Sequence, residues 1–283
     1  MKTLFMIAIA ATTYNLLSAQ STFRKSTNGP GFDQGYAVIQ TNDKGLCVTG
    51  SASSFGSGND DLYVIKLDSN FTQQWAKSFD WGRHEIGLSV IETRKGNMVV
   101  TGYTYKDIIS DEQWDMFVMK IDRYGNVLWS KTIGGVKREN GNCITEISSG
   151  DLLIAGSTNS YGKGLNDIYL VRLSTNGDLV WAKTLGTTTD DIAYSISKTW
   201  NDDVIIAGAS NGFRPFLAKC DADGNVLWAK TIAGDAASIG VYNSAVCTKD
   251  GGYAATGYTK TAANGYDVLT TKVNALGNVV WST

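Results

Sequence analysis

The chain has 283 residues, 43% of them hydrophobic and 18% charged, with a formal net charge of −2 and one histidine. This composition suits a globular protein with a sizeable core, and the near-neutral balance argues against nucleic acid or an anionic membrane as partner. Because His84 is the only histidine, a multi-histidine zinc site is excluded and a Ser-His-Asp triad would have to rest on that residue.

Residues 1–19, MKTLFMIAIAATTYNLLSA, combine a basic start, a short apolar stretch and small residues before Gln20. That pattern predicts a signal peptide rather than a membrane span, and therefore a secreted or extracytoplasmic protein at the cell surface or in the periplasm. Removing Lys2 leaves 24 basic against 27 acidic residues, a mature charge near −3. No second stretch is apolar enough to span a bilayer. Residues 20–283 are read as one domain, expected to be a monomer.

From residue 35 the chain repeats a unit of roughly 50 residues five times. Each unit ends its second apolar run at a glycine: Gly50, Gly102, Gly156, Gly208 and Gly257, spaced 49 to 54 residues apart. A third run follows (61–68, 115–122, 167–174, 214–221, 267–274), then a turn and a fourth run that carries a tryptophan. Trp75, Trp129, Trp181, Trp228 and Trp281 each stand seven residues after a polar turn-opener: Asp68, Asp122, Ser174, Asp221 and Asn274. Four short runs rich in Val, Ile, Leu and Tyr, separated by Gly, Asn and Asp, predict four antiparallel strands per unit. The turns place Gly125, Gly177, Gly224 and Gly277 four residues before the tryptophan, where positive φ is expected. Blade one has Phe71 at that position, so Asn70 is expected to take the left-handed conformation.

The predicted fold is an all-β, five-bladed β-propeller of four-stranded antiparallel blades. One tryptophan per blade at constant phase reads as an inter-blade wedge. Residues 22–26 (TFRKS) repeat the WAKSF phase, which predicts that the N-terminus closes the ring beside the C-terminal strand 278–283. Trp281 already fills the same slot, so the two ends share a strand position in tandem or one blade carries an extra strand.

If the first strand is innermost, the longer loops gather on one face, the natural place for binding residues. Asp33, Glu85, Glu139 and Asp191 stand there before the first strands, with Gly240 in the fifth unit. Asp61, Asp115, Asp167 and Asp267 begin the third strands, with Arg214 in the fourth. Such acids either cap turns through nearby backbone or, in the first-strand ring, converge on a cation. Calcium, a hard ion seeking several oxygens, is the cofactor this chemistry would take. The run Asp221–Asn225 resembles a calcium loop but is read as a hairpin.

Trp81 and Trp114 lie outside the repeating tryptophan phase, in long loops, and suit either sugar stacking beside carboxylates or loop packing. Trp200 reads as a turn anchor. The four cysteines lack metal spacing and read as buried free thiols, with a Cys47–Cys247 bond across the ring seam as the alternative.

Stretches such as NVLWSKTIGG, KDGGYAATGYT and DLYVIKLDSN resemble the β-propeller repeats of bacterial secreted and cell-surface proteins, over about residues 22 to 283. The hairpin pattern LDxxGNVxW is also similar to the tryptophan-docking repeat of quinoprotein propellers, in which the indole stacks between blades. No quinone site accompanies it here, so the resemblance implies the topology and not a dehydrogenase.

Two functions follow as expectations. One is a non-catalytic binding or scaffold module that takes a glycan or protein on its long-loop face. The other is a glycoside hydrolase of the inverting kind known on five-bladed propellers, with its acid and base among Asp33, Glu85, Glu139 and Asp191 in the central funnel. Against the second, catalysis needs carboxylates with different pKa values, whereas these look like copies of one another.

Overall fold

The computed structural model describes residues 30–56, 60–105, 113–232, 239–260 and 265–283. Twenty strands form five sheets of four. Blade one is β1 (Asp33–Gln40), β2 (Leu46–Ala52), β3 (Asp61–Leu67) and β4 (Gln73–Phe79). Blade two is β5 (Glu85–Glu92), β6 (Met98–Tyr105), β7 (Trp114–Ile121) and β8 (Val127–Ile133). Blade three is β9 (Glu139–Glu146), β10 (Leu152–Thr158), β11 (Asp167–Leu173) and β12 (Leu179–Leu185). Blade four is β13 (Ile192–Lys198), β14 (Val204–Ser210), β15 (Arg214–Cys220) and β16 (Val226–Thr231). Blade five is β17 (Ile239–Cys247), β18 (Tyr253–Lys260), β19 (Tyr266–Val273) and β20 (Val279–Ser282). Within every blade the strands pair antiparallel in chain order, a propeller-like arrangement.

Alternation within a strand decides which residues join blades. In β3, Leu62, Val64 and Lys66 point to one buried face while Tyr63, Ile65 and Leu67 are only half-buried. Leu62 and Val64 share a cluster with Val90, Val100, Phe117 and Met119 of blade two. Three further clusters join blades two and three, three and four, and four and five. The core is therefore divided among the seams between consecutive blades.

The tryptophans dock across those seams onto the next hairpin. A Cβ at Gly125, Gly177, Gly224 or Gly277 would stand 3.2, 2.9, 2.7 or 2.8 Å from the indole of Trp75, Trp129, Trp181 or Trp228 respectively. Glycine is thus required twice over, by this contact and by φ values of +75° to +84°. The indole N–H of Trp75 donates to the Arg123 carbonyl (2.9 Å) and that of Trp228 to the Ala275 carbonyl (3.1 Å). In the middle seams a cation takes the equivalent carbonyl: Lys120 donates to Thr175 and Arg172 to Ala222, both at 3.0 Å. There the buried Trp181 indole nitrogen has no hydrogen-bond acceptor.

In four of the five blades a third-strand cation also binds the short turn between the first two strands of its own blade. Lys66 pairs with Asp43 (2.8 Å), Arg172 with Asp151 (2.8 Å), Lys219 with Asp203 (2.8 Å) and Lys272 with Asp250 (2.9 Å). Blade two has Lys95 at the position of Asp43 and makes no such pair among the described residues.

No comparable seam joins blade five to blade one among the described residues. The first strand β1 is largely exposed and the third strand β19 is exposed over its first three residues, whereas β11 and β15 are almost wholly buried. Trp281 is 48% exposed, and Phe71 takes positive φ (61°) itself, in place of the expected Asn70. Phe71 carries the Cβ that the four docked indoles exclude at their own turns. Residues 22–26, the expected closing strand, and the signal-peptide segment 1–19 lie outside the described residues.

All four cysteines are free thiols, with Cys47 in the first seam's cluster and Cys247 against the last. Trp200, expected to anchor its turn, is instead 86% exposed. Among the described residues no helix is long and apolar enough to cross a membrane.

Candidate functional site

The acids of the long-loop rim are mostly engaged by the loops they support. Thr158 and the Ser160 amide donate to Oε1 of Glu139 (2.6 and 3.2 Å), while the Gly135 amide donates to Oε2 (2.7 Å). At Asp191, Ser210 and the Asn211 amide bond one oxygen, and the amide and hydroxyl of Thr187 bond the other (2.7 and 2.9 Å). Asp33 accepts from the Ser54 amide and hydroxyl at 3.2 and 2.7 Å. Each of these acids ties together loops that meet at the start of its strand. Asp167 likewise caps its own loop, accepting from the amides of Lys163 and Gly164 at 3.0 and 2.9 Å.

Glu85 departs from its copies. It is fully buried, and Thr104 donates to its Oε1 at 3.1 Å. Its Oε2 has no hydrogen bond of ordinary geometry, although the Trp81 amide comes close enough to favour the ionised form. Burial pushes its carboxyl up to about 7, and the neighbouring charges of Asp61 and Asp80 push in the same direction.

The two broken acid rings are interrupted at one seam. Arg214 replaces the third-strand Asp of blade four, and Gly240 replaces the first-strand acid of blade five; the Gly240 amide bonds the Phe213 carbonyl at 2.8 Å. Third-strand and next first-strand acids meet at the other described seams, so both partners are lost together.

The two out-of-phase tryptophans lie differently. Trp81 is 41% exposed and meets Phe117 edge-on, with centroids 5.4 Å apart. Trp114, half-buried, opens β7 and is held by its indole N–H on Asn140 Oδ1 at 2.5 Å. Arg138 stacks over its ring at 4.3 Å, and Tyr103 and Tyr105 lie 5.6 and 5.4 Å away. His84 meets Tyr105 edge-on at 5.4 Å and reaches Asp60 at 3.7 Å. Aromatic faces, a guanidinium and an amide thus converge beside the rim acids of blades two and three. Of this group the sequence pattern pointed only to Trp114. Tyr103 and Tyr105 sit two apart in β6, which places them on one face of the strand.

A second feature, which the repeat pattern did not announce, is a β-bulge in every inner strand. The register skips Tyr36, Leu88, Asn142, Tyr194 and Asn243. Bulges re-aim side chains and occur beside binding sites. Its signal was a break in the two-residue alternation after Gly35, Gly87 and Gly141.

No family model and no curated protein matches this chain. Solved structures do resemble it. A protein of unknown function from Dyadobacter fermentans gives a TM-score of 0.59 at 11% identity, over 89% of this chain and 82% of that one. A quinohemoprotein alcohol dehydrogenase from Pseudomonas putida gives 0.56 at 11% identity, over 84% of this chain and 51% of its own. An ulvan lyase, a polysaccharide lyase bound to a GlcA(1-4)Rha3S unit, gives 0.51 at 10% identity, over 89% and 66%. At these identities the likeness shows a propeller-like fold alone.

Proposed function

We propose that the chain is a non-catalytic binding module, secreted or displayed at the cell surface, whose long-loop face recognises a glycan. The observation that carries this reading is the Trp114 cluster, with its Tyr103 and Tyr105 neighbours, the stacked Arg138 and the amide of Asn140. Sugar rings present apolar C–H faces and hydroxyls together, which suits aromatic platforms edged by planar hydrogen-bonding groups. The bound Rha-containing unit of the ulvan lyase is an instance of glycan recognition on a similar fold. Two of the rim acids favour binding over hydrolysis, since Glu139 and Asp191 are saturated by their own loops, and Glu85 alone departs from its copies.

Titration of residues 20–283 with neutral and anionic oligosaccharides by calorimetry tests the reading. Binding without turnover, lost in Trp114→Ala and weakened in Arg138→Ala, is the expected result. Release of reducing ends would overturn the non-catalytic assignment, and absence of binding across the panel would overturn the glycan. In the same reading residues 22–26 complete the ring beside 278–283. Deleting 20–29 should then lower the melting temperature and expose Trp281 further to quenchers.

A further inference from the structure

The residue after the fourth strand has a special place at the seams that gather acids. At Gly134, a Cβ would stand 1.7 Å from Asp115 Oδ1 and 2.9 Å from Glu139 Oε2. At Gly186 it would stand 2.2 Å from Asp167 Oδ1 and 3.1 Å from Asp191 Oδ2. Two carboxylates from neighbouring blades therefore crowd one backbone position, and glycine leaves them room. In the first seam the residue at this position, directly after β4, is Asp80. Where the seams between blades two and three and between blades three and four have two acids and a glycine, this one has three acids.

Their carboxylates converge. One oxygen from each of Asp61, Asp80 and Glu85 lies within 4.8 Å of the other two, and among the described residues no other group of three or more potential metal ligands is so close. Oxygens about 2.4 Å from a common ion can be at most about 4.8 Å apart, so this spacing meets the distance condition for a shared ion. A second observation points the same way. At the other seams, the amides of Gly135 and Thr187 bond the oxygen of Glu139 and Asp191 that faces the crowded position, each at 2.7 Å. The corresponding Oε2 of Glu85, on a fully buried side chain, receives no hydrogen bond of that geometry.

We propose that Asp61, Asp80 and Glu85 form a binding site for a hard divalent cation at the seam between blades one and two. An all-oxygen set contributed by a loop and two strands matches calcium, which accepts irregular coordination, better than zinc, which prefers nitrogen and sulfur. His84, the only imidazole, turns instead toward Asp60. The ion offsets the repulsion of three gathered carboxylates and binds the Trp81 loop to β3 and β5. It is a site distinct from the four-acid ring, of which it uses Glu85 alone.

The test uses residues 20–283 freed of metal with EDTA. Calcium chloride at millimolar concentration should raise the melting temperature by about 2–4 °C or more, with magnesium chloride as a parallel arm; stabilisation by either ion supports the site. Asp80→Gly recreates the arrangement of the Gly134 seam, and should abolish the shift while melting in EDTA no lower than the unsubstituted protein. Asp80→Asn provides an isosteric second variant with the same expectation. Terbium emission on excitation of tryptophan should be lost in Asp80→Asn and reduced in Trp81→Phe, which retains the calcium shift. No stabilisation by either ion, or a shift that persists undiminished in both Asp80 variants, would overturn the proposal.

Discussion

Gly224 lies against the indole of Trp181, so closely that a Cβ would stand 2.7 Å from Cη2. Its φ of +75° adds a second reason for glycine. Gly224→Ala should therefore lose about 2–4 kcal/mol, combining left-handed strain with overpacking. Gly212, with φ +73° and open space within 4 Å of where a Cβ would stand, isolates the strain alone. Gly212→Ala should cost about 1 kcal/mol. Urea midpoints of the two variants check the difference; equal losses would mean that the indole contact is soft.

The tryptophans should not be energetically equal despite their identical phase. Trp181→Ala opens the seam between blades three and four and should cost about 3–5 kcal/mol. Trp281→Ala removes a side chain that is 48% exposed and should cost less than about 1 kcal/mol. Comparable losses at both positions would show that Trp281 is covered in solution.

Asp43 holds the buried ammonium of Lys66 at 2.8 Å. That hydrogen bond, with one from Thr41, lowers the Asp43 carboxyl to about 2. A depressed carboxyl stabilises the fold above its unfolded pKa, near 4, and the contribution disappears as pH falls through about 2. Asp43→Ala leaves the buried Lys66 with the Leu67 carbonyl but without its carboxylate and, because Asp43 itself is half exposed, should cost about 1–2 kcal/mol at neutral pH. The variant should also lose less stability than the parent between pH 4 and 2, as read from denaturant midpoints across that window.

The rim acids are expected to report on stability and not on turnover. Asp191→Ala strands two backbone amides and two hydroxyls at the Thr187 and Ser210 loops, and should cost about 2–3 kcal/mol. Calorimetric glycan binding should be retained by the folded variant. Unchanged thermal stability would argue against the loop-tying role.

The sequence was informative wherever one residue type performs one job in every unit. The seven-residue offset from Asp122 to Trp129, the turn glycines and the strand runs all follow from local backbone rules, and each appears at its expected place. The site was harder to read because it depends on which strands become neighbours. Asp61, Asp80 and Glu85 belong to different repeat phases, and only the seam brings them together. Asp80 could have been noticed as the acid that replaces Gly134 and Gly186, but nothing local signals that those glycines make room for carboxylates. The Tyr103–Trp114 contact was similarly hidden, since it depends on cross-strand pairing of Trp114 with Tyr105. Phe71 is an exception in the repeat pattern, and its significance lies in the contact of the other indoles with glycine, which no local rule encodes.

Among the described residues the core is divided among four seams, which bears on local stability. Each interior blade is braced from two sides among the described residues, while blades one and five have one such cluster each. Cooperativity in such a stack decays with distance along the chain, and the ends fray before the middle. Amide exchange should accordingly be slowest in β10 and β11 and progressively faster toward β1 and β19. Because neighbours interact only pairwise, a unit could be duplicated or lost in evolution with little redesign of those that remain.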